Sequence, residues 1–74
     1  MDVKTAKKVR DHVFKSVDEL NEAVRTLQDA CSDVEFQTFR KACGVLMSDL
    51  WDLLKPIFHE HPQLKPDDLK DIDF

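Results

Sequence analysis

The apolar residues of the chain form two runs with a heptad-like spacing, and the two runs are out of phase with each other. Intervals of four and three residues alternate in the first run, which consists of Val13, Val17, Leu20, Val24, Leu27 and Cys31. The same intervals recur in the second run, which consists of Phe36, Phe39, Cys43, Leu46, Leu50, Leu53 and Ile57. Such spacing places an apolar seam along one side of an α-helix. A single helix would continue the first seam to Thr38 and Lys41, which are polar, so the pattern predicts two helices.

The residues between the two runs predict where the second helix begins. Ser32 is followed three residues later by Glu35, which is the spacing of a capping box. We expect helix one over residues 2–30, with Asp2 as its N-cap, and helix two over residues 33–60, with a kink near Pro56. The predicted fold is all-α. An antiparallel two-helix hairpin occupies residues 1–61, and a connector with a short C-terminal helical turn occupies residues 62–74.

Helix two carries a second apolar stripe beside its seam, formed by Gly44, Met47, Trp51, Leu54 and Phe58. Helix one covers one of the two stripes, and soluble monomers rarely leave such a stripe exposed. A glycine inside a helix is often compensated by the close approach of another backbone. The preferred interpretation is a homodimer in which helix two packs on helix two to form a four-helix bundle.

Two alternative arrangements would also cover this second stripe. In one of them the C-terminal tail folds back over the stripe within one chain. The tail side chains Leu64, Leu69, Ile72 and Phe74 are expected to cover the open end of the hairpin or a partner. In the second, the stripe forms a groove for a helix of a different protein. In two of these arrangements, the homodimer and the groove for a foreign helix, the stripe binds another protein chain. The sequence therefore favours a small regulatory or adaptor protein that acts by protein–protein contact.

Composition limits the size of the protein and the choice of partners. A chain of 74 residues forms one small domain. Its 11 basic and 15 acidic residues give a net charge of −4, which argues against a general nucleic-acid binder. Cys31 and Cys43 would lie about 15 Å apart along the hairpin, too far for a disulfide, so we expect free thiols and a cytoplasmic location. The first residues lack the apolar run of a signal peptide, and no segment is apolar enough to span a membrane.

The first helix offers two candidate sites. Lys4, Lys8 and Lys15 follow one face and form the alternative function, a basic patch for nucleic acid of the RNA type, doubled in a dimer. His12, in His-Val-Phe-Lys-Ser, partly resembles the histidine of phosphotransfer helices, with a cation one turn later. The segment departs from the histidine-kinase pattern because Val13 replaces the acidic residue and the following proline is missing. Phosphotransfer through His12 is therefore the third function, and no family is assigned.

Other chemistry has weaker support in the sequence. His59 and His61 are two residues apart, so on a helix their side chains diverge, whereas histidine pairs that bind metal on a helix are usually four apart. No nucleophile with a base at a recognisable spacing and no glycine-rich phosphate loop is present. We therefore expect no enzyme activity, no cofactor and no metal.

Overall fold

The computed structural model describes residues 1–72 as a hairpin of two long helices, α1 (Val3–Ala30) and α2 (Asp33–Glu60). Two short 3₁₀ turns follow, Pro62–Leu64 and Asp67–Leu69, and no strand occurs in the described part of the chain. The predicted all-α class and the hairpin are confirmed. Phe74, which was expected to help cover the open end, lies outside the described residues.

The helix starts follow from the caps expected from the sequence. The Asp2 carboxylate accepts a hydrogen bond from the Thr5 backbone N–H at 2.7 Å at the start of α1. At the start of α2, the Ser32 hydroxyl accepts from the Glu35 N–H at 3.3 Å, and the Glu35 carboxylate accepts from the Ser32 N–H at 3.2 Å. This reciprocal pair is the predicted capping box. It satisfies two backbone donors at the point where the chain reverses.

Replacing Ser32 with alanine should lower the free energy of unfolding by about 1 kcal/mol, because a backbone donor of the first turn of α2 loses its partner. Urea unfolding followed by circular dichroism measures this change. Ser48→Ala is the matched control, since Ser48 is an exposed residue inside the same helix. That control should be neutral or slightly stabilising because alanine is the better helix former. Equal losses in both variants would contradict a stabilising role for the cap.

The hydrophobic core lies at the open end of the hairpin, away from the turn. Its buried members come from α1, from the last part of α2 and from the first 3₁₀ turn, and they are Ala6, Val13, Leu54, Ile57, Phe58 and Leu64. In contrast, every side chain in residues 18–53 is at least partly exposed. The half of the hairpin next to the turn therefore consists of two helices in contact without a closed core between them.

Helix α2 presents a different face to α1 from the one that the heptad spacing predicts. Phe39, Leu46 and Leu53 were expected in the seam, yet each is about half exposed. Leu54 is fully buried and Phe58 is 4% exposed, although both were assigned to the second stripe. The predicted seam is therefore wrong for these positions. Its remaining members, Phe36, Cys43, Leu50 and Ile57, are half-buried or buried.

The reason for this rotation lies in large side chains outside the predicted seams. Phe14 meets Trp51 edge to face, with ring centroids 6.3 Å apart. Val9 also packs against the core, from the first turns of α1. Aromatic side chains bury more apolar area than aliphatic ones, so the contact between Phe14 and Trp51 outweighs the regular spacing of the leucines. As a result, α2 turns its Trp51 side toward α1.

The C-terminal tail closes the open end only in part. Leu64 is buried and Leu69 half-buried, whereas Ile72 stays about half exposed. Arg10 holds this segment, because its guanidinium donates to the Leu64 carbonyl at 2.7 Å. Both cysteines are free and half-buried, as expected for separated seam positions.

Candidate interaction site

A groove of about 750 Å³ runs between α1 and α2 along the middle of the hairpin. Its apolar lining comes from Leu20 and Ala23 of α1 and from Leu46, Leu50 and Leu53 of α2. The groove exists because α2 has turned its Trp51 side toward α1, which leaves Leu46 and Leu53 beside the contact instead of within it.

Three exposed side chains of α2 form a row that we call the apolar stripe: Phe39, Leu46 and Leu53. Leu46 and Leu53 line the groove, and Phe39 lies two turns nearer the start of α2. The three side chains are spaced by seven residues and are 49%, 54% and 56% exposed. A seven-residue interval keeps side chains on one face of a helix, so the three side chains share one face of α2 at steps of about 10.5 Å. Exposed apolar surface of this kind marks interaction sites in soluble proteins.

Beside Leu20 and Ala23, the α1 side of the groove has polar residues with both signs of charge. His12, Lys15 and Glu19 line it, and all three are exposed. Ser16 lies among them, and its hydroxyl donates to the His12 carbonyl at 2.9 Å. Lys15 and Glu19 stand one helical turn apart on this edge. Asp49 is the charged residue that α2 contributes to the groove.

The second stripe of α2, which the sequence predicted as the interaction surface, lies outside the groove and does not include the residues of the apolar stripe. Leu54 and Phe58 are buried, so the expectation that they are exposed in a single chain is wrong, whereas Met47 and Trp51 are half-buried. The physical reason is the contact of Trp51 with Phe14, which turns this side of α2 inward. Association through Met47 and Trp51 stays a prediction. Gly44 is exposed, and a Cβ atom added there would meet open space.

The sequence pattern identified the apolar residues of α2 that line the groove, but it predicted them in the contact with α1. The members of the apolar stripe were all recognised as apolar seam positions. Phe14 is the residue that could have shown which stripe of α2 faces α1. It lies outside the α1 seam, at about the same distance from the turn as Trp51. Heptad spacing takes no account of residue size, so the prediction placed the regularly spaced leucines of α2 against α1.

The other predicted sites on α1 are divided between the groove and the rest of the helix surface. Lys4, Lys8 and Lys15 are all exposed, but Lys15 lines the groove. His12 is exposed beside Lys15 on the same edge. Nucleic-acid binding and phosphotransfer through these residues stay predictions.

The two C-terminal histidines occupy the end of α2 and the residue after it. His61 contacts the Met1 carbonyl through Nε2 at 2.9 Å. Within residues 1–72, no group of three or more His, Cys, Asp or Glu side chains could hold a metal ion together. Over the same residues, none of the helices is long and apolar enough to cross a membrane.

An ion pair between Met1 and Glu60 joins the two ends of the hairpin at 3.0 Å. The hydrogen bond from the Met1 ammonium, helped by its charge, lowers the pKa of Glu60 below its usual value of 4.5. Hydrogen bonds from the backbone at the two helix starts lower the pKa of Asp2 and of Glu35 in the same way.

These shifts predict that acid destabilises the fold. A carboxyl group whose pKa is lower in the folded state stabilises the protein above its unfolded pKa, and this contribution is lost as the pH falls through the folded pKa. We expect the melting temperature to decline below about pH 4.5. Glu60→Gln should reduce this decline, whereas Glu22→Gln, in an exposed pair within one helix, should change it less. Equal pH profiles for the native chain and Glu60→Gln would contradict the effect of the terminal ion pair.

Comparison of the chain with models of protein families, with curated proteins and with solved structures finds no match.

Proposed function

We propose that this chain is a small non-catalytic interaction protein that works by burying the apolar stripe of α2 against a second copy of itself. The product is a four-helix bundle, in which the outer faces of the helices remain available for regulatory or adaptor contacts. The observation that carries the proposal is the half-exposed row of Phe39, Leu46 and Leu53, of which Leu46 and Leu53 line an apolar groove. A surface of this kind suits another helical surface better than a polar substrate.

The extended shape and large exposed area of the hairpin support the proposal that it binds a second copy. A compact monomer of 8.6 kDa exposes about 4,700 Å², whereas this chain exposes 5595 Å², roughly 900 Å² more. A standard interface buries about 800 Å² on each partner. The radius of gyration is 14.7 Å, compared with about 11 Å for a compact domain of this length. The hairpin thus forms one layer of helices and leaves uncovered about the area that a dimer would bury.

The distribution of buried residues points the same way. All side chains in residues 18–53 are at least partly exposed, so the half of the hairpin beside the turn has no closed core in a single chain. Small folds of this size are usually completed by disulfides, metals or a second subunit. The two cysteines are free thiols, which suits a reducing compartment such as the cytoplasm and leaves a second subunit as the proposed completion.

Replacing Leu46 with glutamate should convert a dimer into a monomer, because the substitution places a charge in the middle of the apolar stripe. Light scattering across a dilution series measures the mass. We expect about twice 8.6 kDa for the native chain and about 8.6 kDa for the variant. Circular dichroism should show that the variant remains helical, since Leu46 is 54% exposed in the single chain.

Val34→Glu is the matched control, because Val34 is 80% exposed on α2 and lies on another face of the helix. This variant should keep the dimer mass. A native chain that is monomeric at every concentration would overturn the proposal, as would a Leu46→Glu variant that remains dimeric.

A further inference from the structure

We infer that the two copies pack antiparallel about a two-fold axis that passes beside Val17 and Leu46, and that Lys15 and Glu19 select this arrangement. The inference rests on the proposed function and names the orientation and charge pairing of the same surface. The occupant of the groove is a second copy, with its own stripe laid along the first.

The height of the axis follows from the geometry of the hairpin. Both helices rise about 1.5 Å per residue from the turn between Ala30 and Asp33, so Val17 of α1 and Leu46 of α2 lie at the same distance from the turn. The contact between Phe14 and Trp51 fits this correspondence. Val17 is buried, and α1 lines the groove on both sides of this height, whereas α2 lines it from Leu46 to Leu53.

The apolar stripe is complementary to itself about this axis. Phe39 and Leu53 stand seven residues before and after Leu46. An antiparallel two-fold axis therefore places Leu46 against Leu46 of the second copy and Phe39 against its Leu53. Each half-exposed side chain of the stripe would meet an apolar partner, as an isologous interface requires.

The α1 edge of the groove is complementary in charge about the same axis. Lys15 stands two residues before Val17 and Glu19 two residues after it. The antiparallel axis places Lys15 near Glu19 of the second copy, and the symmetry produces this pair twice. Both side chains line the groove and are exposed, so the charges are available at the edge of the interface, where complementary charges set orientation.

The competing bundle lays α2 of one copy over α1 of the other. In that arrangement the apolar stripe would face the α1 edge, which offers Leu20 and Ala23 but also the polar side chains of Ser16 and Glu19. Covering the Glu19 carboxylate with leucine side chains would cost desolvation free energy without returning a partner. The antiparallel pairing of α2 with α2 avoids this cost, because it leaves Glu19 at the edge of the interface.

The first experiment reverses the two charges. Lys15→Glu and Glu19→Lys should each weaken self-association by about tenfold, because each change replaces two attractive pairs with two repulsive ones. An equimolar mixture of the two variants should recover the native affinity in a heterodimer, since each altered residue then meets an opposite charge. Sedimentation equilibrium at low salt measures these affinities, and Lys8→Glu, farther along α1, should change the affinity by less than about threefold.

The second experiment reads the orientation by cross-linking. In a background with both cysteines replaced by alanine, Phe39→Cys and Leu53→Cys chains are oxidised separately and as a mixture. The antiparallel arrangement predicts disulfide-linked dimers in the mixture and few in either chain alone. Disulfides within each separate variant, or native affinity for both single charge reversals, would overturn the inferred orientation while the native dimer mass still supports the proposed function. A native chain without a dimer mass would instead overturn the proposed function, and the orientation with it.

Discussion

Replacing Leu54 with alanine is expected to lower the free energy of unfolding by about 2–5 kcal/mol. Leu54 is 0% exposed and is the largest fully buried side chain in residues 1–72. It packs in the core at the open end, where α1, α2 and the first 3₁₀ turn meet. Removing it loses apolar burial and leaves a cavity that rigid helices cannot fill. Urea unfolding monitored by circular dichroism, at the lowest workable protein concentration, measures the loss.

Its neighbour Leu53 is the matched control, because the residue type and the helix are the same. Leu53 is 56% exposed in the single chain, so Leu53→Ala should cost about 1 kcal/mol or less in dilute solution. At higher concentration the same variant should also weaken self-association. Equal losses for the two leucines, or a larger loss at Leu53, would restore the orientation of α2 that heptad spacing predicts and would contradict the observed one.

Replacing Phe58 with alanine is expected to cost about 3–5 kcal/mol. Phe58 is 4% exposed and lies in the cluster that also contains Ala6 and Leu64. An aromatic side chain in this position bridges the first turns of α1 and the turn after α2, so its removal opens the end of the hairpin. Thermal unfolding measures the stability change. Hydrogen exchange at the Leu64 amide should accelerate as well, because its bond to the His61 carbonyl, at 3.0 Å, loses this support.

Phe39→Ala is the control for Phe58, since Phe39 is 49% exposed on the same helix. In dilute solution this variant should lose about 1 kcal/mol or less and should leave exchange at Leu64 unchanged. A Phe58→Ala chain as stable as the Phe39→Ala chain would show that the core does not lie at the open end.

Local signals predicted the elements of the hairpin well. The change of phase between Cys31 and Phe36 and the spacing of Ser32 and Glu35 predicted a turn and a helix start, and the observed α2 begins at Asp33. These features involve residues close together in the chain, so their free energies depend little on the rest of the fold. The two helices and the caps at Asp2 and Ser32 were therefore open to prediction.

The location of the exposed apolar surface was not predictable in the same way. Helix α2 has two adjacent apolar stripes, offset by one residue or about 100° around the helix. The observed orientation lies between them, because it turns Leu54 and Phe58 inward and keeps Ile57 buried. The choice depended on the contact of Phe14 with Trp51 and on the position of Leu64, which belong to separate segments. Spacing within one helix contains no information about such partners.

The sequence by itself determined that the chain forms two capped helices joined by a tight turn, each with an apolar face. It also determined that α2 has more apolar surface than one neighbour covers. Only the tertiary structure decided that Leu54 and Phe58 enter the core while Leu46 and Leu53 line an open groove. The physical reason is that caps and periodicity act through near neighbours, whereas burial depends on which large side chains from distant segments fill the same space.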